Sequence, residues 1–487
     1  MEQVAVNPYI HNSKKRKYLS AVGVYVMVFF SMILAYGNGI FLPIAGEEIG
    51  GLDIYPLAGT LGGITGVVSV PIFAVLSAKY PHLRRQAMVI CFLVAVICMS
   101  FRIWAPSMII IVIPSALIGL EMASGMTFGY ALIRDCFGQK QAGILLGFVG
   151  SMFGLGGLVA PTLVGALCQY SSWRLVPVVI ALGWVLGAIL IANGARITKE
   201  EAKDITYVTG KIDKLGLVSL GLLMGGLILA LSLGHHAPVG SPISTMFFGI
   251  AAVGAIMVVL TIRKKKDDAV LPLSAVKDRN TIGMTIANFL SPFDSVGINF
   301  FLPVFMMTVL MATPVAAGMS ISLYAVLGIF ISPIMGRWVG RIGTVKPIIV
   351  YFSGIWRILV TVALLIILVP GASIIVIYIV MFCAGLYSCA GGVVAAAGPQ
   401  IMIHPRVRQQ SNAVVQLGQN IGGTLGVAVY ASFITTYGLE VGIRYGLVVS
   451  LIGAGILLLS GLMMTKPNWK QEHEMEEESG AEQEPEK

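Results

Sequence analysis

The sequence Phe41-Leu42-Pro43, near the end of the first apolar stretch of the chain, recurs as Phe301-Leu302-Pro303, 260 residues later. Two further segments repeat in the same order. Residues 74–79 correspond to 336–341, and residues 119–121 correspond to 385–387, with offsets of 262 and 266 residues. Because the offset is nearly constant over three apolar segments, the sequence predicts a duplicated membrane domain, an organisation typical of transporters.

The composition indicates an integral membrane protein. Hydrophobic residues make up 57% of the chain and charged residues only 11%, whereas soluble domains carry about 25% charged residues. The first apolar run follows a basic segment at 14–17, exceeds twenty residues and lacks a small-residue cleavage site, so we expect a retained span rather than a cleaved signal. The net charge is +9, and the basic residues that produce it lie between apolar spans. We therefore expect contact with a lipid bilayer and none with nucleic acid.

A helix needs about 20 mostly apolar residues to cross a bilayer. By that criterion the sequence predicts fourteen spans, near 18–42, 55–78, 86–104, 107–131, 141–168, 173–195, 215–234, 243–262, 281–309, 314–335, 346–369, 372–398, 410–435 and 443–465.

The basic residues orient these spans. If the N-terminus is cytoplasmic, 28 of the 32 Lys and Arg residues fall in cytoplasmic segments, where such residues are retained. Arg102, Arg174 and Arg444 fall near outer ends, where we expect Arg102 to extend to the membrane interface. The sequence therefore predicts a multi-pass protein of the cell (plasma) membrane with both termini cytoplasmic.

Five regions follow from this division. We predict a cytoplasmic N-terminal segment over 1–17, a six-helix bundle over 18–196, two linker helices with basic cytoplasmic loops over 197–280, a second six-helix bundle over 281–465, and a disordered acidic cytoplasmic tail over 466–487. The tail carries eight glutamates and no apolar run, a composition typical of disorder.

Several motifs resemble those of the major facilitator superfamily, in particular its fourteen-helix drug:proton antiporter branch. Residues 74–85, with Lys79, Arg84 and Arg85, resemble the superfamily loop Gly-x-Leu-x-Asp-Arg-x-Gly-Arg-Arg, and residues 336–343, with Gly336 and Arg341, are a closer second copy. In both copies another residue replaces the aspartate of the loop, Ala78 in the first and Gly340 in the second.

Three more segments carry the resemblance. Residues 156–165, which include Gly157, Pro161 and Gly165, are similar to the antiporter motif Gly-x-x-x-Gly-Pro-x-x-Gly-Gly. Trp173-Arg174 opens span six as in that branch, and residues 213–216 and 271–273 match its markers around two additional central helices.

The resemblance implies an all-α membrane protein with the major-facilitator fold, in which two pseudo-symmetric six-helix bundles and two extra central helices make up the fourteen spans. It also implies gating loops at the two basic copies and a hinge at the glycines of span five. Small residues at that spacing let helix backbones approach closely in a membrane.

Two acids lie deep inside spans, Glu121 in span four and Asp294 in span nine. An acid at the bilayer centre costs about 2.5–3.5 kcal/mol even on the lenient insertion scale, so each needs a cavity or a partner. In the superfamily the spans that carry them line the central cavity. We expect either a coupling or substrate-contacting role or, alternatively, a structural hydrogen bond to a neighbouring helix.

Arg357 is the one cation expected deep within a span. It either pairs with Asp294 or a backbone carbonyl, or anchors an anionic substrate. Tyr36, Asn38, Asn299 and Tyr387 complete the predicted cavity, although each could instead bond helix to helix.

The antiporter branch carries an aspartate in span one and an arginine in span four, and this chain has Leu34 and Ser115 at those positions. Either Glu121 and Asp294 substitute for the usual proton-handling residues, or the protein has another function.

These features predict a monomeric secondary active transporter of a small organic solute, amphipathic or anionic, coupled to protons, with export favoured over uptake. The nearest alternative is a proton symporter or uniporter that imports an organic anion or metabolite. An intramembrane enzyme or a receptor is less consistent with the sequence, which has no catalytic constellation, nucleotide-binding loop or signalling domain. We expect no catalytic residue, metal site or cofactor.

Overall fold

The structure is a computed structural model that describes residues 9, 11–137, 139–198, 200–201, 213–233, 240–266, 269, 273, 277–403 and 408–465. The predicted acidic tail and most of the region between Glu201 and Asp213 lie outside the described residues.

The described residues form fourteen long helices. They are α1 (Lys14–Ile49), α2 (Tyr55–Lys79), α3 (Arg84–Ile103), α4 (Met108–Cys136), α5 (Gln139–Tyr170), α6 (Leu175–Ala192), α7 (Lys214–Ser232), α8 (Pro242–Lys265), α9 (Arg279–Thr308), α10 (Pro314–Ile342), α11 (Ile348–Ile367), α12 (Ile374–Met402), α13 (Arg408–Tyr437) and α14 (Leu439–Met463). By length and composition, thirteen of these could cross a membrane, in whole or over their described part. The other, α13, is 30 residues long and carries more glutamine and asparagine.

Helix contacts repeat between the two halves. In the first half α1 packs against α5 and α6, α2 against α4, and α3 against α4 and α6. In the second half α9 packs against α13 and α14, α10 against α12, and α11 against α12 and α14. Each contact in one bundle has its counterpart in the other, and the fold class predicted from the sequence is confirmed.

Polar caps begin several helices at the positions where the apolar pattern starts. Asp278 accepts a hydrogen bond of 2.7 Å from the backbone N–H of Thr281 at the start of α9, and Thr313 accepts one of 3.3 Å from Ala316 at the start of α10. Such caps satisfy backbone donors that the helix itself leaves unpaired. These two caps mark the beginnings of α9, which contributes to the site, and of α10, which packs against α5 of the other bundle.

The two bundles meet along α5 and α10, along α2 and α13, and between α1 and α9. We call the side of the molecule on which α1 and α9 end the distal side. There, the ring of Phe300 on α9 stacks on Tyr55 of α2 with centroids 5.9 Å apart. The Gln169 side chain on α5 also accepts a hydrogen bond of 3.3 Å from the N–H of Val315 on α10. These contacts join the bundles on the distal side.

The pair α7 and α8 lies across one bundle contact. Helix α7 packs against both α2 and α13, where Val67, Met224, Ile228 and Leu417 form a buried apolar cluster. Asp213 caps α7 and also accepts a hydrogen bond of 2.7 Å from Lys265 at the end of α8. The extra helices are therefore attached to both bundles.

Candidate substrate cavity

A cavity of about 260 Å³ lies between the bundles. Its walls come from α1, α2, α3, α4, α9 and α13. The polar side chains in the walls are few: Ser31, Asn38, Arg102, Ser115, Glu121, Asn420 and Thr424. The remainder is apolar or glycine, with four glycines on α2 at positions 59, 62, 63 and 66. A largely apolar cavity with a few polar groups is the usual form of a small-molecule site.

Glu121 lines this cavity and is 3% exposed. Its Oε2 lies 2.6 Å from the hydroxyl of Ser31 on α1. The same hydroxyl lies 2.8 Å from the carbonyl of Met27 and accepts a hydrogen bond of 3.2 Å from the indole N–H of Trp184 on α6. A hydroxyl has one proton, so it can donate either to Met27 or to Glu121. Ser31 can therefore accept from a neutral Glu121 or donate to an ionised one.

Asp294 occupies a different environment. Its Oδ2 lies 3.2 Å from Nε of Arg357, and the two side chains are 2% and 1% exposed. Tyr430 donates a hydrogen bond of 3.3 Å to Asp294 Oδ1, and Arg357 Nη2 donates one of 2.8 Å to the carbonyl of Leu290. The structure therefore gives Arg357 the first of its two predicted roles, pairing with Asp294 and with a carbonyl.

This pair corrects the expectation that both acids face one cavity. Asp294 and Arg357 do not line the cavity that Glu121 lines. Helix α9 turns Asp294 toward α11 and α13 within its own bundle, where a buried cation neutralises its charge. Two opposite charges that are both removed from water are most stable when they pair.

The four polar residues that were predicted to complete the cavity also lie in different places. Asn38 lines the cavity, and its buried Oδ1 has no hydrogen-bond partner in the part of the chain that the structure describes. Tyr387 instead lies beside the ion pair, with the Arg357 guanidinium 5.6 Å from its ring. Tyr36 and Asn299 are not among the residues that line the cavity, and the buried Oδ1 of Asn299 is also unpaired.

Arg102 is the cavity residue that the sequence analysis misplaced. Its side chain is 1% exposed and lines the cavity instead of extending to the membrane interface. Nη2 donates hydrogen bonds of 2.7 Å to Ser115 Oγ and 3.4 Å to the carbonyl of Ala58. The helical spacing of the sequence indicated this position, because Arg102 lies on the same face of α3 as Ala95 and Met99. All three residues are buried.

Two of the buried charged residues lie next to π-helical turns. Glu121 precedes the π turn Gly125–Gly129 of α4 by four residues, and Arg357 follows the π segment Ile348–Trp356 of α11. Such turns are frequent at functional sites because they rotate the side chains beyond them.

The predicted gating residues have varied surroundings. Arg84 is buried, donates from Nε to the carbonyl of Ser77 at 2.7 Å, and forms an ion pair with Asp135 at the end of α4. Asp135 thus provides a carboxylate near the loop over residues 74–85, where Ala78 replaces the aspartate of the superfamily motif. Arg85 donates a hydrogen bond of 2.6 Å to the carbonyl of Ala192, and the ammonium of Lys79 lies 5.5 Å from the ring of Tyr80.

In the second copy Arg341 is exposed, and a methyl group added at Gly336 would meet no atom within 4 Å.

The predicted hinge glycines lie where α5 meets α10. A methyl group at Gly165 would lie 2.4 Å from the carbonyl oxygen of Pro314, and one at Gly318 would lie 2.3 Å from that of Pro161. Gly157 faces Ala325 of α10 and the ring of Tyr36. The seam between the bundles is therefore a close backbone contact.

A family model described as Major Facilitator Superfamily matches residues 24–259 and 284–486. The chain belongs to this superfamily. Among relatives, multidrug transporter protein MdtP of Bacillus subtilis is 22% identical over 338 residues, which cover 69% of this chain and 61% of MdtP. Multidrug resistance protein Stp of Mycobacterium tuberculosis is 23% identical over 340 residues, or 68% of this chain and 60% of Stp. The chain thus spans about three fifths of the length of these relatives.

A solved superfamily structure agrees in fold. The crystal structure of the peptide transporter POT in complex with sulfate superimposes with a TM-score of 0.67 at 15% identity, covering 91% of this chain and 95% of that one. The superfamily assignment predicted from the motifs is confirmed, and the multidrug relatives agree with the drug-antiporter branch. Thirteen of its described helices are long and apolar enough to cross a membrane, as expected of a multi-pass membrane protein with this fold.

Proposed function

We propose that this protein carries a small organic solute, amphipathic or anionic, through the cavity by alternating access, and that Glu121 couples the movement to a proton. One observation carries the proposal: a lone carboxyl group with no basic partner among the described residues lines a cavity between two bundles. An acid in such a site can exchange a proton whenever the cavity opens to water.

Four contacts support the mechanism. Ser31 can hydrogen-bond Glu121 in either protonation state, so the proton can leave without an unpaired oxygen remaining. The close seam between α5 and α10 gives the bundles an axis on which to rock, with the distal contact of Phe300 and Tyr55 opening in one state. Asp294 stays paired with Arg357 and has a structural role.

Export is the direction that we propose, because MdtP and Stp carry the names of multidrug proteins. We further propose a monomer with both termini in the cytoplasm. We assign no catalytic residue and no cofactor to the protein. Import of an organic anion by symport or uniport is a second candidate, favoured by the unpaired cation Arg102 in the cavity wall.

The test is flux of two fluorescent dyes, ethidium and fluorescein, into liposomes that hold the purified protein and an imposed pH gradient. We expect a dye to accumulate where the interior is more acidic, because a proton leaves as the solute enters. Glu121→Gln should abolish accumulation and retain exchange of dye down its own gradient, since glutamine keeps the size of the side chain and cannot ionise.

The double variant Asp294→Asn with Arg357→Gln removes the other buried acid without leaving an unpaired charge. It is the control in the same liposomes and should still respond to the gradient. Accumulation in an alkaline interior would select the symport candidate. Dye flux that ignores the pH gradient in the wild-type protein would contradict proton coupling.

A further inference from the structure

Arg102 is a buried cation without an anionic partner. Its side chain is 1% exposed, and none of the ion pairs formed by described residues includes it. Nε and Nη1 have no hydrogen-bond partner among the described residues. A buried guanidinium with unmatched donors is unfavourable unless a ligand supplies the missing acceptors.

The guanidinium is nevertheless held in place. The Ser115 hydroxyl donates to the carbonyl of Ile111 at 2.6 Å and so presents its lone pairs to Arg102 Nη2 at 2.7 Å. The carbonyl of Ala58 accepts a second bond, and the ring of Phe41 lies 5.8 Å from the guanidinium carbon. These contacts orient the group without neutralising its charge.

The contrast with Arg357 is informative. That arginine is equally buried, and its Nε and Nη1 also lack hydrogen-bond partners among the described residues, but Asp294 lies 3.2 Å from its Nε and balances its charge. Arg102 instead lines the cavity wall. Among the described residues three arginines are buried, Arg84, Arg102 and Arg357. Arg84 and Arg357 form ion pairs with aspartates, and Arg102, which lines the cavity, has no carboxylate partner among these residues.

We propose that the cavity binds an organic anion, with its carboxylate or sulfonate group held by Arg102 and its apolar body against Ile118, Val67, Phe300 and Val427. Oxyanions suit a guanidinium because each oxygen accepts charge-assisted hydrogen bonds.

The proton and anion sites are distinct. Ser115 and Glu121 are six residues apart on α4, which corresponds to about 9 Å along the helix axis. An anion on Arg102 therefore leaves Glu121 at the opposite end of the cavity. The inference rests on the proposed function, since it names the chemical class of solute that the transporter carries.

The test uses four probes of one shape: 1-naphthoate, naphthalene-1-sulfonate, neutral 1-naphthamide and cationic 1-naphthylmethylammonium. Binding to the full-length protein in detergent is measured by tryptophan fluorescence and by thermal stabilisation. We expect the two anions to bind at least tenfold more tightly than the amide, with the ammonium weakest. Arg102→Gln should weaken anion binding by about tenfold to a hundredfold and leave amide binding unchanged.

Stability separates a binding role from a structural one. Without a probe, Arg102→Gln should unfold at the same temperature as the wild type or higher, because it removes an unpaired buried charge. It should also lose the stabilisation by naphthoate. Arg134→Gln, which removes an arginine that is about half exposed at the end of α4, is the matched control and should bind naphthoate normally.

If Arg102→Gln does not fold, Ser115→Asp provides an independent test, because it places a carboxylate against Arg102 that should exclude the anions. Equal affinity for naphthoate and naphthamide, or anion binding that survives both substitutions, would overturn the proposal. Displacement of naphthoate by phosphatidylglycerol would assign the site to a lipid headgroup. That result would also overturn the proposal that the cavity binds a soluble organic anion.

Liposome flux distinguishes the two proposals. Arg102-dependent binding of naphthoate without any flux would retain the anion site and reject transport. Gradient-driven flux of ethidium that does not depend on Arg102 would retain transport and reject the anion site.

Discussion

At the level of single residues, the charged side chains within the spans are stabilised by different kinds of contact. Glu121 shares a hydrogen bond with Ser31 and lines a cavity. Asp294 and Arg357 neutralise each other, while Arg102 uses a hydroxyl, a carbonyl and an aromatic ring. A carboxyl group that can be neutral is suited to proton exchange, whereas a paired one is suited to holding helices together.

Breaking the Asp294 and Arg357 pair should destabilise the protein. Asp294→Asn or Arg357→Gln leaves one uncompensated buried charge, and we expect a loss of roughly 3–5 kcal/mol in the free energy of unfolding. The double substitution should recover much of that loss. Thermal and denaturant unfolding in detergent measure both effects.

The structural role of Asp294 would be contradicted if both single variants were as stable as the wild type and Asp294→Asn had lost gradient-driven transport. Asp294 would then be a coupling group.

At the scale of helices, close backbone contacts are of two kinds. Within the second bundle, Gly422 and Gly426 of α13 lie so near α9 that an added methyl group would come within 1.9 Å of a carbonyl oxygen. Between the bundles, Gly165 of α5 and Gly318 of α10 allow a similar approach. The first kind fixes the core of one bundle, and the second lies where motion of one bundle against the other must occur.

Gly318→Ala should slow transport without unfolding either bundle. The added methyl group would lie 2.3 Å from the carbonyl oxygen of Pro161, so the distal halves of α5 and α10 must separate. We expect at least a tenfold lower dye flux, with an unfolding temperature near that of the wild type.

Gly249→Ala on the exposed side of α8, where an added methyl group meets no atom within 4 Å, is the control and should transport normally. Normal flux in Gly318→Ala would exclude this seam as part of the moving interface.

At the scale of the whole molecule, bundles α1–α6 and α9–α14 share one pattern of helix contacts and meet on the distal side. The hairpin of α7 and α8 is held by the ion pair of Lys265 with Asp213, 2.7 Å apart, and packs on both α2 and α13. Any rocking of the bundles must therefore carry this hairpin or slide past it.

The distribution of Lys and Arg predicts that the distal side is extracellular. In a variant without the six native cysteines, a cysteine introduced at Gly371, between α11 and α12, should react with an impermeant maleimide in intact cells. One introduced at His82, between α2 and α3, should react only after lysis. The reverse pattern would invert the proposed orientation.

Hydropathy and motif spacing are read along the chain, and they were enough to predict the membrane class, the duplication, the superfamily and a number of spans close to that of the structure. They also placed Glu121, Asp294 and Arg357 within spans, but they assigned Arg102 to the membrane interface. The partner of each charged side chain came from the fold: Arg357 for Asp294, Ser31 for Glu121 and Ser115 for Arg102. The reason is that the rotation of each helix about its axis is set by packing against its neighbours, and the local sequence does not contain that information.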